Sequence, residues 1–139
     1  MNKENKQFVK DRALACCEYC LCQAAFSPDP FVIEHIIPIS KQGSHELSNL
    51  AFSCQGCNNH KYTATTGIDP VTGSKIDLYH PRKDVWEDHF EWTQDFSIIL
   101  GKTPKGRATI ERLNLNRAGV VNLRKVLRQF GKHPFIGKD

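Results

Sequence analysis

The hydrophobic and polar positions in the first half of the chain predict a helix, two strands and a second helix. Residues 5–16 contain good helix formers with apolar side chains at roughly helical spacing, and they predict the first helix. Residues 31–37 are mostly β-branched and aromatic and are followed by a proline, so they predict a strand. After a polar loop over residues 39–48, a short strand is expected over residues 49–53 and a short helix over residues 55–62.

The pattern in the second half predicts a loop, two strands and two helices. Residues 65–75 contain glycines, an Asp-Pro pair and a Thr-Gly pair, and they predict an exposed loop. Strand-like segments follow at residues 90–92 and 96–100. Helices are expected over residues 106–113 and 117–130, the second capped by the asparagine that precedes it. In the last helix the apolar side chains form one stripe, and the arginines are expected on the opposite, solvent-facing side.

The composition is that of an ordinary globular protein. The chain has 139 residues, of which 40% are apolar and 24% are charged, and these values argue against a disordered tail, a collagen-like repeat and a coiled coil. The apolar stretches are far shorter than the roughly 18 residues that a membrane span needs. No apolar segment follows the charged first residues, so we expect no secretory signal and a cytoplasmic protein.

The charge is unevenly distributed along the chain. Residues 101–139 hold ten basic and two acidic residues, whereas residues 1–100 hold nine basic and thirteen acidic residues. The last segment therefore carries a charge of +8 and the rest a charge of −4. A basic segment of this length favours a polyanionic partner, although a solvated basic helix face is the alternative interpretation.

The six cysteines fall into two groups that predict a metal site. Two C-x-x-C pairs, Cys17 with Cys20 and Cys54 with Cys57, have the spacing of zinc knuckles. Four thiolate ligands leave no open position on zinc, so such a site is structural. Cys16 and Cys22 form no further C-x-x-C pair and are interpreted as spare thiols. The alternative is a set of buried or redox-active thiols.

Polar residues between and after the cysteine pairs complete a longer motif. The motif consists of Cys17-x-x-Cys20, Glu34-His35-Ile36-Ile37-Pro38, Gly43, Asn49-Leu50-Ala51 and Cys54-x-x-Cys57-Asn58-x-x-Lys61. This ordered set, over about residues 12–62, resembles the HNH endonuclease family. The rest of the chain, which includes Pro81-Arg82, Trp86 and Leu115-Asn116-Arg117, is similar to a tail seen in stand-alone members.

The resemblance implies a fold, a reaction and a set of site residues. The fold is α+β, a small ββα-metal core with a structural zinc site, flanked by helices and short strands. In the family pattern His35 occupies the position of the general base, and Asn49 the position that ties down the loop and orients it. Glu34 and Asn58 occupy the positions that hold a catalytic divalent ion, for which oxygen donors favour Mg²⁺ or Mn²⁺. The implied reaction is one-metal hydrolysis of a phosphodiester bond.

The resemblance also implies a nucleic-acid substrate, for which we expect double-stranded DNA bound with low sequence specificity. The helix that bears Asn58 would lie along the minor groove, and the basic tail would follow the backbone. A partner protein that supplies target choice remains an open alternative, as does a zinc-stapled nucleic-acid-binding module without catalysis. The candidate phosphate contacts are Lys61, Lys102, Lys105, Arg107, Arg117, Arg124 and Arg128.

We expect two segments, an HNH core over residues 1–62 and a C-terminal extension over residues 63–139, packed together as one unit. The remaining histidines carry weaker hypotheses. His60 lies two residues after Asn58 and is a second candidate ligand or phosphate neighbour. His89 is interpreted as a packing residue or substrate contact, and His133 as a surface residue.

Overall fold

The computed structural model describes residues 1–136, so Gly137, Lys138 and Asp139 lie outside the described residues, and with them one lysine of the basic tail. No helix within residues 1–136 is both long enough and apolar enough to cross a membrane. The helices of this range are α1 (Lys3–Arg12), α2 (Gln55–Lys61), α3 (Trp86–His89), α4 (Pro104–Leu113) and α5 (Ala118–Gln129). The strands are β1 (Val32–His35), β2 (Leu50–Ser53), β3 (Thr66–Ile68), β4 (Lys75–Asp77), β5 (Phe90–Trp92) and β6 (Ile99–Gly101).

The strands form three antiparallel pairs, each made by consecutive strands. In the first pair, β1 and β2 align Val32 with Ser53 and His35 with Leu50, and α2 follows β2 after a single residue. The other pairs are β3 with β4 and β5 with β6. The predicted α+β class is confirmed, with the β1-β2-α2 order of a ββα-metal unit.

Helix α1 starts and ends at identifiable local signals. The Asn2 side chain accepts a hydrogen bond from the Asn5 N–H and caps the helix. The helix was expected over residues 5–16 but ends at Arg12, because Leu14 and Ala15 adopt the left-handed conformation, with φ of 55° at both. The turn that results directs the chain from α1 into the first cysteine group.

The prediction of an exposed loop over residues 65–75 is wrong. It contains β3 and ends at the first residue of β4, the two strands pair with each other, and Asp69 in the connecting turn is fully buried. The Asp69 carboxylate accepts two hydrogen bonds from the Arg107 guanidinium, both at 2.9 Å, and one from the Val71 N–H. The Asp-Pro and Thr-Gly pairs predicted the turn correctly. They gave no sign that Arg107 of α4 pairs with Asp69 and keeps it buried.

The starts of the two C-terminal helices differ from the predictions. Helix α4 starts at Pro104, two residues before the expected Gly106, because the Thr103 side chain caps it by accepting from the Gly106 N–H. Asn116 does not cap α5. Its side chain instead bonds both the N–H and the carbonyl of Ile99 at the edge of β6.

One hydrophobic core joins the expected HNH core and the expected extension. The indole N–H of Trp86 donates to the Tyr19 carbonyl at 3.1 Å, so α3 is tied directly to the first cysteine turn. This shared core holds the two cysteine pairs and the β1-β2 pair against the C-terminal helices. Its members include Cys17, Tyr19, Ile36, Ala51 and Cys57 from the first segment and Leu78, Trp86, Phe90, Ile99, Leu113 and Leu115 from the second.

Candidate metal centre and active-site cavity

The four predicted zinc ligands meet at one buried point between the α1 turn and the start of α2. The ligand atoms of Cys17, Cys20, Cys54 and Cys57 all lie within 4.8 Å of one another. The Cys20 and Cys54 sulfurs are 3.7 Å apart, which matches the edge of about 3.8 Å of a tetrahedron with Zn–S bonds of about 2.3 Å. The arrangement therefore fits a structural zinc ion.

Arg117 packs against the thiolates of this centre. Its guanidinium donates to the Cys54 sulfur at 3.3 Å and to the Cys57 sulfur at 3.5 Å. Four thiolates around a divalent ion carry a net charge of −2, and an adjacent cation offsets part of that charge in a buried place. Arg117 was expected to contact phosphate, but its position assigns it to the metal centre.

The two spare thiols differ in their distance from this centre. The Cys22 sulfur is 3.2 Å from the Cys20 sulfur, so it borders the ligand set. The Cys16 thiol is directed instead to the Leu14 carbonyl at 3.4 Å.

Glu34, His35 and Asn58 line one open cavity of about 400 Å³. His35 ends β1, and Glu34, which precedes it, is buried whereas His35 is half-buried. The cavity lies where β1 ends, so it reaches both side chains. Helix α2 brings Asn58 to the wall of this cavity. The side-chain amide of Asn58 makes no hydrogen bond with another residue in the range 1–136.

Asn49 fixes the chain on the far side of His35. Its side-chain oxygen accepts from the Ile37 N–H at 2.9 Å, and its amide donates to the carbonyls of Ile37 and Ser44 at 2.9 and 2.8 Å. Gly43 lies in the same tight loop, where an added Cβ would stand 1.7 Å from the Ile37 carbonyl oxygen. Asn49 therefore holds the loop to the end of β1, and this backbone carries His35.

His45 is a site residue that the sequence analysis did not single out. Its Nδ1 is 3.0 Å from Nε2 of His35, and the two rings meet edge to face. Burial lowers the pKa of His35, and the neighbouring imidazole lowers it further. The only signal in the sequence was a second histidine in the loop that closes the β1-β2 pair.

Glu34 is buried and bonded on both carboxylate oxygens. Tyr19 donates its hydroxyl to one oxygen, and the Lys61 ammonium lies 3.3 Å from the other. Burial raises the pKa of Glu34, although Lys61 and Tyr19 act in the opposite direction. Lys61 was expected as a phosphate contact or a surface lysine. It is buried instead, and it also donates to the Ile36 carbonyl at 2.8 Å.

The residues around the cavity fit a hard divalent cation by their chemistry. The Asn58 amide oxygen has no protein donor within residues 1–136, and a carboxylate oxygen keeps a second lone pair after it accepts one hydrogen bond. A carboxylate and an amide are the oxygen donors that Mg²⁺ and Mn²⁺ prefer. The other candidate ligand, His60, is exposed on α2 and does not line this cavity.

The predicted outward face of α5 is wrong at Arg124. This side chain is only 3% exposed, and its guanidinium donates to the carbonyls of Ser97 and Leu115 at 3.0 and 2.7 Å. The segment between β5 and β6 covers the helix face that periodicity assigned to solvent. Arg124 therefore stabilises the packing of α5 and is no longer a candidate phosphate contact.

Other cations of the basic tail bind within the protein. Arg107 pairs with buried Asp69, and the Lys105 ammonium lies 3.0 Å from Asp84. Lys102 donates to the Glu87 carbonyl at 2.9 Å, and the Arg128 guanidinium stacks over the Phe96 ring at 4.5 Å. His133 is buried and contacts the Phe96 carbonyl, contrary to the expected surface position.

Comparison with protein-family models matches residues 17–64 to the family described as HNH endonuclease. The match covers about a third of the chain, and it contains all four zinc ligands together with Glu34, His35, Asn49 and Asn58. Searches of the curated proteins and of the solved structures found no match. The resemblance predicted from the motif is confirmed for this segment.

Proposed function

We propose that this chain, which carries an HNH endonuclease domain at residues 17–64, is a metal-dependent endonuclease that hydrolyses DNA phosphodiester bonds. The observation that carries the proposal is the meeting of Glu34, His35 and Asn58 at one cavity, at the motif positions of a nuclease family. A protein that used the zinc site only to stabilise its fold would not need these three side chains at one cavity.

His35 is the general base of the proposed reaction. A neutral imidazole takes the proton from the water that attacks phosphorus, and the lowered pKa of His35 keeps its ring neutral at pH 7. Asn49 and His45 are positioning residues, since Asn49 holds the backbone beside the base and His45 contacts its ring.

Glu34 and Asn58 are the residues that would hold a Mg²⁺ or Mn²⁺ ion at the cavity wall. Such an ion, when bound, neutralises charge on the scissile phosphate and on the leaving oxygen. Tyr19 and Lys61 orient the Glu34 carboxylate by bonding one oxygen each.

For the substrate we propose double-stranded DNA with low sequence specificity, since phosphate contacts carry no sequence information. A partner protein that supplies target choice is compatible with this proposal. The thiolate-rich zinc centre favours a reducing compartment such as the cytoplasm, because free thiols persist there.

The test is a plasmid cleavage assay in the presence of Mg²⁺ or Mn²⁺, with and without EDTA. Wild type should nick the plasmid only when the divalent ion is free, and His35→Ala should lower the rate by about 10²- to 10⁴-fold while DNA binding is kept. His60→Ala is the matched control, because it removes an exposed imidazole outside the cavity and should cleave like wild type. Equal cleavage by His35→Ala would reject the role of the base.

The second candidate function is a zinc-stapled nucleic-acid-binding module without catalysis. The observation that favours it is the double engagement of Glu34 by Tyr19 and Lys61, which gives this carboxylate a purely structural use. DNA binding by wild type without cleavage under any of several divalent ions would decide for this module.

A further inference from the structure

We propose that three lysines of α1 bind the phosphate backbone of the nucleic acid beside the candidate active site. Lys3, Lys6 and Lys10, termed here the α1 lysine stripe, are all exposed. The inference rests on the proposed function, because it assigns the surface that holds the substrate of the same site. In this proposal the α1 lysine stripe takes the role of phosphate contact that the charge distribution had assigned to the C-terminal cations.

The three lysines share one face of the helix. At about 100° per residue their side chains project within an arc of about 60°. Glu4 and Asp11, the acidic residues of α1, project from the adjoining face. The stripe is therefore a local concentration of positive charge inside the part of the chain whose net charge is negative.

The stripe borders a cavity between α1 and the start of β1. The cavity has a volume of about 720 Å³, its rim carries all three lysines, and none of its lining residues is acidic. A cavity with cations along one wall and no opposing carboxylate is complementary to a polyanion. Apolar side chains form the floor, among them Phe31, Val32, Ile33 and Phe52.

This cavity adjoins the candidate active site along β1. Val32 and Ile33 line both cavities. From Val32 to His35 the strand covers about 10 Å at about 3.3 Å per residue. One DNA strand carries a phosphate about every 3.4 Å along the axis. The stripe therefore suits phosphates at least about three positions from the scissile one.

The α1 lysines are also free to bind, unlike several arginines at the other end of the chain. None of the three side chains donates a hydrogen bond or forms an ion pair with any residue in the range 1–136. By contrast, Arg107, Arg117 and Arg124 are held by Asp69, by thiolates and by buried carbonyls. Cations that already have protein partners contribute little to a phosphate contact.

The test compares two triple variants in a His35→Ala background, which removes cleavage during the measurement. The stripe variant carries Lys3→Gln, Lys6→Gln and Lys10→Gln. The control carries Lys75→Gln, Lys125→Gln and Lys132→Gln, which removes the same charge from exposed lysines that line neither cavity. Fluorescence anisotropy with a labelled 30-base-pair duplex, from 50 to 300 mM NaCl without divalent ions, gives Kd and its salt dependence.

The stripe variant should bind at least tenfold more weakly at 50 mM salt than the His35→Ala parent. Its slope of log Kd against log salt should fall by about 2 to 3, since each lost phosphate contact removes about 0.9. The control should keep most of the parent's slope. Equal slopes for the stripe variant and the control would overturn the stripe alone. A parent that binds no DNA would overturn the proposed nucleic-acid substrate, and the stripe with it.

Discussion

Single residues of the candidate site are linked by contacts between parts of the chain that are far apart in sequence. Lys61 lies 27 positions after Glu34, and the two side chains form a buried ion pair. Tyr19 completes the environment of the carboxylate. A buried carboxylate of this kind costs free energy unless its partners remain in place. The pair is therefore a sensitive point for stability as well as for the proposed metal site.

Lys61→Met should lower the free energy of unfolding by about 3 to 5 kcal/mol, because it leaves the Glu34 carboxylate buried without its cation. The double variant Glu34→Gln with Lys61→Met should lose less than the single variant, because no charge then remains to be buried. Urea unfolding at pH 7 with zinc present measures both. A double variant as unstable as the sum of the two single variants would show that the ion pair does not couple them.

The roles of individual residues were predictable only where the motif fixed them. The motif assigned Glu34, His35 and Asn58 to one candidate site, and all three line the same cavity. The contact of His45 with His35 depends on how the loop folds back, and no local pattern encodes it. Arg124 was misplaced for a similar reason, since helical periodicity distinguishes two faces but does not say what packs on the second.

At the scale of elements, the cysteine turns connect strands and a helix that are too short to be stable on their own. Strands β1 and β2 have four residues each, and α2 has seven. Such pieces are marginal alone in water. The metal centre joins the turn after α1 to the start of α2, where Cys54 is also the N-cap residue. Zinc binding and the folding of the ββα unit should therefore be coupled.

Cys57→Ser should reduce bound zinc from about one ion per chain to near zero and should lower the thermal midpoint. Cys16→Ser is the matched control, because its thiol contacts the Leu14 carbonyl and lies outside the ligand set. Metal analysis of the purified variants and calorimetry measure the two effects. Full zinc content in Cys57→Ser would remove this residue from the ligand set.

Two helix glycines should respond in opposite directions to the same substitution. Gly106 in α4 faces the His89 carbonyl, whose oxygen would stand 2.1 Å from an added Cβ, so Gly106→Ala should destabilise the protein by about 1 to 3 kcal/mol. Gly119 in α5 has no atom within 4 Å of that position, so Gly119→Ala should stabilise it by about 0.5 kcal/mol. Urea midpoints compare the variants. A neutral Gly106→Ala would contradict the close contact of α4 with α3.

The positions of most elements followed from the sequence, whereas their ends depended on side chains that act locally. The β1-β2-α2 order was predicted, with β1 recognised from its β-branched and aromatic residues and the proline that follows them. The β3-β4 pair was missed because each strand has only three residues, too few for an alternating pattern to stand out, and because Arg107 draws Asp69 inward from a distance of 38 positions. Short strands held by tertiary contacts leave little signal in the chain itself.

For the whole molecule, net charge by segment is a poor guide to where a polyanion binds. The C-terminal third is strongly basic in sequence, yet many of its cations already contact carboxylates, carbonyls, thiolates or a ring of the same chain. The N-terminal part is acidic on average and still presents three free lysines on one helix face. Burial and pairing, which become visible only in the fold, decide which charges reach a partner.

The full chain should unfold as one unit, although its family match ends at residue 64. Both tryptophans, Trp86 and Trp92, lie after residue 62 and the four zinc ligands lie before it, so fluorescence and zinc release report on different segments. Because one core and the Trp86–Tyr19 hydrogen bond join these segments, the two signals should share a single urea midpoint. A chromogenic chelator measures the zinc release. Zinc release at a clearly lower urea concentration than the fluorescence change would show that the segments unfold independently.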